Sequence, residues 1–86
     1  MSRLFLPGLP IEVAVVGKVT PQRFTWAKRQ HPVNRIENFW ITELGWWHPD
    51  HAIARDYFLL TTKTGLLVEI YHSHKDDCWY LQRLHD

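Results

Sequence analysis

Apolar and polar residues alternate along this chain in short blocks whose period is two, which is the repeat of a half-buried strand and not of a helix. Residues 11–16, Ile-Glu-Val-Ala-Val-Val, open the pattern after a lead broken by Pro7, Gly8 and Pro10. Gly17 and Pro21 then frame a turn. Gln22 to Arg29 reads as one continuous strand, with Phe24, Trp26 and the stem of Lys28 on one face and Arg23, Thr25 and Arg29 on the other. Pro32 belongs at a bend, because it cannot donate to a ladder. Val33 to Leu44 is apolar enough for a long strand, yet Ile36 and Phe39 are out of phase, and a bulge or short helical turn near Asn38 would restore the alternation.

The last third of the chain carries the clearest signal. Residues 45–53, with Trp46, Trp47 and Pro49, read as a loop, and Arg55 to Thr62 as a strand rich in aromatic and β-branched residues. Lys63-Thr64-Gly65 suits a three-residue hairpin in which Gly65 supplies the left-handed conformation of a bulge. Leu66 to Tyr71 returns, a polar loop covers 73–77, and Cys78 to Leu84 is the final strand. The pattern predicts an all-β domain over 11–86: a small antiparallel meander or half-open barrel of five to six strands, preceded by the Pro/Gly lead of 1–10. Its core should draw on Val13, Phe24, Trp26, Phe58, Leu60, Leu66, Val68, Ile70, Trp79 and Leu81.

Composition adds two things to this picture. The 86 residues make one domain, and five tryptophans are a dense aromatic supply for so small a core or for a binding surface. A single cysteine, Cys78, leaves no internal disulfide, so a reducing compartment, the cytoplasm, is expected. The lead is too short and too broken for a membrane span, and no membrane partner is expected. Net charge is +1 but uneven: residues 1–35 hold six basic groups against Glu12, or +5, and residues 36–86 hold four against eight acidic ones, or −4. That asymmetry suggests a basic face.

The pattern Pro10-Ile11-Glu12-Val13, Arg23-Phe24-x-Trp26, Trp40, Trp46-Trp47, Arg55-Asp56-Tyr57-Phe58, Gly65-Leu66-Leu67-Val68-Glu69-Ile70-Tyr71 and Trp79-Tyr80-Leu81-x-Arg83-Leu84-x-Asp86 covers nearly the whole chain. It resembles a bacterial domain family of unassigned activity associated with genes for Y-family, ImuB-like error-prone DNA polymerases. The resemblance implies a β domain and a setting in DNA repair or translesion synthesis. Where the family tends to have a Trp-Arg-Gly-Arg-like run, this chain has Trp26-Ala27-Lys28-Arg29, which keeps two cations and loses the glycine.

The candidate chemistry is that of binding. Arg23, Trp26, Lys28, Arg29, Arg35, Trp40, Trp46, Trp47, Tyr57 and Arg55 supply the cations and rings that a single-stranded nucleic acid or a protein partner would use. Adjacent residues rarely both point inward, so Trp46 and Trp47 are the rings most expected at the surface. His48, His51, His72 and His74 are metal-ligand types, but no CxxC accompanies them and they are expected to be solvated; no metal or cofactor is anticipated. No phosphate loop or nucleophile elbow is present, and an enzyme is not expected. The leading expectation is a non-enzymatic accessory or protein-interaction module, its binding residues Arg23, Lys28, Arg29, Trp46, Trp47 and Arg55. The partner is expected to be a protein, with a translesion polymerase component implied by the resemblance. Direct single-stranded nucleic-acid binding by the same residues is the alternative, and a tryptophan pair on a β edge would also suit a homodimer.

Overall fold

The computed structural model describes residues 2–17, 20–44 and 53–85. Six antiparallel strands close into a barrel in chain order: β1 (Ser2–Val16), β2 (Thr20–Trp26), β3 (Arg29–Leu44), β4 (Ile53–Thr62), β5 (Leu67–Ser73) and β6 (Cys78–His85). The all-β expectation therefore holds, and the barrel is closed, because β1 returns to pair with β6. Closure uses the segment expected to be only a lead. Residues 2–4 and 9–11 pair with β6, and residues 12–16 with β2. The same division occurs in β3, where residues 29–32 face β2 and residues 33–44 face β4. β1 and β3 thus serve two sheets each, a larger one (β1, β6, β5, β4, β3) and a smaller one (β1, β2, β3), which is how a short chain turns a barrel corner.

Bulges mark those corners. β3 shifts register between Val33 and Arg35 and again between Ile36 and Asn38, the second at the place where its alternation fails in the sequence. Pro32 sits where β3 leaves β2 for β4, and its carbonyl accepts the Lys63 N–H at 3.0 Å. At the β4–β5 connection Gly65 has φ +93°, its N–H donates to the Thr62 carbonyl, and the Thr62 hydroxyl accepts the Leu66 N–H at 3.1 Å. Thr62 is buried, so this bond satisfies a hydroxyl that has no water to turn to.

One strand expectation needs correction. Gln22 to Arg29 is not continuous: the chain reverses at Ala27-Lys28, and Arg29 opens β3 directly opposite Trp26. Both turn residues have positive φ, 53° and 63°, as a two-residue type I′ hairpin requires. The signal was missed because neither residue is the Gly or Asn that this turn normally selects. L-residues in that region cost roughly 1 kcal/mol or more each. The double substitution Ala27→Asn, Lys28→Gly should therefore stabilise the fold by ~1 kcal/mol after the entropy cost of glycine, raising Tm by about 4–8 °C in a thermal melt.

The core follows from alternation. Phe24, Phe58, Leu60, Val68, Ile70 and Leu81 are buried as expected, and Leu84 joins them. Val13, Trp26, Leu66 and Trp79 pack against this cluster while remaining partly exposed. In β4 the even positions Asp56, Phe58, Leu60 and Thr62 point inward and the odd positions outward. Among the described residues, no helix is long and apolar enough to cross a membrane.

Candidate interaction surface

Two features converge on the second half of β3. The first is its backbone edge. Among the described residues, β3 beyond Val33 pairs with β4 alone, so its other edge is unoccupied for most of its length. An open edge presents N–H and C=O groups to any strand that approaches. The Phe39 N–H is capped by the Asn38 side chain at 2.9 Å, and Arg35 pairs with Glu37 at 3.5 Å.

The second feature is that this edge strand carries large apolar side chains on both faces. Phe39 and Ile41 lie in the inward phase, opposite Phe58 and Asp56, yet they are 46% and 59% exposed. They are exposed because β2 has only seven residues, and the smaller sheet does not extend over this end. Phe39 leans on Phe58 with ring centroids 4.8 Å apart, and Ile41 is the more exposed of the two.

Trp40 points to the outer face, where it begins a row of rings across four strands. Its partner Tyr57 on β4 is stacked at 5.3 Å with an interplanar angle of 1°. Tyr71 on β5 follows at 5.2 Å and Tyr80 on β6 at 5.1 Å, each in the directly paired register position. Offset and tilted pairs at such separations add about 0.5–1.5 kcal/mol each beyond area burial. Arg55 closes the row from above: its guanidinium lies 4.6 Å over the Tyr71 ring and donates to the Tyr57 hydroxyl at 3.2 Å. That hydrogen bond raises the Arg55 pKa further, so the residue is a fixed cation.

Tyr71, an outward-facing residue, is only 5% exposed because β1 crosses it at Gly8. A Cβ at position 8 would meet the Tyr71 hydroxyl at 2.9 Å and the Tyr80 Cβ at 3.0 Å, so only glycine permits that approach. Burial pushes the Tyr71 phenol up, and Arg55 partly opposes the shift.

At the far end of the row the Tyr80 hydroxyl donates to Asp76. The bond pushes the Tyr80 phenol up to about 12 and holds Asp76 below its ordinary value. A raised phenol pKa contributes stability that is present below pH ~10 and is lost as pH rises through the folded value. Ultraviolet titration should accordingly show one tyrosine ionising near pH 12, and Asp76→Asn should return it toward ~10.

The expected binding residues are not gathered on this surface. Arg23 is exposed on the outer face of the smaller sheet, beside Glu12, Ala14, Thr25 and Gln30. Lys28 occupies the β2–β3 turn. Arg29, expected beside Arg23, takes the face of its partner Trp26 instead, because the hairpin turn resets the alternation. Lys63, which the sequence did not single out, shares a shallow depression with Arg23. Arg55 stands on the larger sheet with the aromatic row. Trp46 and Trp47, and with them His48 and His51, lie outside the described residues. Phe39, Ile41 and Tyr80 were missed as surface residues, and Tyr71 as the covered centre of the aromatic row. A hint was present in the bulge near Asn38, which pairs an out-of-phase Phe39 with an uncovered face.

Comparison of the chain with protein-family models, with curated proteins and with solved structures finds no match in any of the three.

Proposed function

We propose that this protein is a non-enzymatic interaction module whose open β3 edge, with Phe39 and Ile41 on one face and Trp40 on the other, takes up a protein partner. The observation that carries this reading is the exposure of Phe39 and Ile41 on a strand whose outer backbone edge is unpaired among the described residues. Strand addition gives affinity through the main chain and selectivity through alternate side chains. The sequence resemblance supplies the setting, translesion synthesis, and a Y-family polymerase component as the partner. A lone exposed thiol at Cys78 fits a cytoplasmic location.

The separation of charge from rings supports a protein partner over single-stranded nucleic acid. Stacking of bases along a phosphate track needs cations and rings in one groove. Here Arg23 lies on the outer face of the smaller sheet while the rings lie on the larger one, where Arg55 is already engaged with Tyr57 and Tyr71. The test is calorimetric titration of a Y-family polymerase with the protein at 50 and 200 mM salt. Binding through the β3 edge should change little with salt. A nucleic-acid site using Arg23, Lys28, Arg29 and Lys63 would instead bind a single-stranded oligonucleotide and lose roughly fifty-fold over that range. Oligonucleotide binding of that kind, with no polymerase binding, would overturn the proposal.

A further inference from the structure

The β3–β4 end of the barrel holds a second group of side chains, unrelated to the aromatic row. Asp56 and His72 are paired register neighbours on β4 and β5, both in the inward phase. His74 follows two residues later, and its N–H is tied to the Ala54 carbonyl at 3.0 Å, which fixes the loop beside β4. The three side chains each present a ligand atom, and those atoms all lie within 4.8 Å of one another. We propose that Asp56, His72 and His74 form a binding site for a divalent first-row transition-metal ion.

Three observations carry this beyond a shared location. Asp56 is a carboxylate buried to 7% exposure in a small apolar barrel, where an anion requires a cation or several donors. His74 Nε2 stands 2.9 Å from its Oδ2, which supplies one contact. That pair leaves His72 unexplained. Its Nε2 is bonded to Asp77 at 2.7 Å, while its Nδ1 is buried with no hydrogen-bond partner among the described residues. A histidine held by a carboxylate at one nitrogen and free at the other is the arrangement that outer carboxylates impose on metal-bound imidazoles.

Two imidazoles and one carboxylate select zinc, iron, cobalt or nickel over the hard cations magnesium and calcium, which take oxygen ligands. Three protein ligands leave a further coordination position for water or for a group brought by a partner. The sequence offered His72 and His74 only as metal-ligand types expected to be solvated, whereas the His72 side chain is largely buried. It gave no sign of Asp56, which only the β4–β5 register brings to them.

The test uses the whole chain, titrated with Zn2+ by calorimetry and with Co2+ by visible absorption. One ion per chain should bind at micromolar concentration or tighter. His74→Ala should weaken binding more than a hundredfold and Asp77→Asn about tenfold, whereas His85→Ala, paired with Leu67 at the other end of β5, should change nothing. His74 is half exposed, so its replacement is expected to fold, which circular dichroism checks. Zinc-dependent shifts of the His72 and His74 ring resonances in the unmutated protein give a readout that needs no variant. No binding at 100 µM Zn2+, or binding indifferent to His74→Ala, overturns the proposal.

Discussion

Leu60→Ala should lower the unfolding free energy by about 3–4 kcal/mol. Leu60 has no exposed surface and sits in the central cluster with Phe58, Val68 and Ile70, so truncation loses transfer energy and leaves a cavity in a core too small to collapse around it. A chain of 86 residues has only roughly 4–13 kcal/mol in total. The variant should therefore melt about 12–30 °C lower, and fold incompletely if the total is near the lower bound. Leu59→Ala is the matched control. Leu59 is the outward neighbour, half-buried on the barrel surface, and its truncation should cost about 1 kcal/mol or less. The pair also tests register, because a one-residue slip of β4 would exchange the two effects.

Ile41→Glu should weaken partner binding by about thirtyfold or more while the protein stays folded. Ile41 is more than half exposed but faces Asp56 across the β3–β4 register, so a glutamate there is expected to cost about 1 kcal/mol through like-charge repulsion while the protein stays folded. At the centre of a docked edge it would bury a charge against an apolar partner, and an anchor of this kind accounts for 2 kcal/mol or more, about thirtyfold in affinity. Phe39→Ala should weaken binding similarly, but with some loss of stability, since its ring also packs on Phe58. Arg23→Ala, on the far side of the barrel, should change affinity less than threefold. Equal losses from Ile41→Glu and Arg23→Ala in folded protein would place the interface elsewhere.

These contrasts show what the linear pattern could and could not carry. The strands of the last third were legible because each one obeys strict alternation and is bounded by a turn signal. Gly65 in particular marks a left-handed turn position, and the structure has it at φ +93°. The bulge in β3 was legible too, from the phase conflict between Ile36 and Phe39. The hairpin at Ala27-Lys28 was not, because a left-handed Ala-Lys pair has no composition cue. That one missed turn moved Arg29 to the wrong face and made the basic residues look more clustered than they are. The pairing of β1 with β6 was hidden by Pro7, Gly8 and Pro10, which read as breakers although the register simply shifts across residues 4–9.

Surface identity was harder still. Trp40, Tyr57, Tyr71 and Tyr80 are spread over forty positions and become a row only through the registers of three strand pairs. Exposure of Phe39 and Ile41 depends on how far a different strand, β2, extends. No local pattern around residue 40 contains that information.

The most direct test of the β3 edge is site-specific photocrosslinking in the native host cell, with benzoylphenylalanine at position 41 and, separately, at position 23. Docking on the β3 edge would give a discrete, nuclease-resistant protein adduct from position 41 and none from position 23. Nuclease-sensitive adducts from position 23, with position 41 silent, would contradict it.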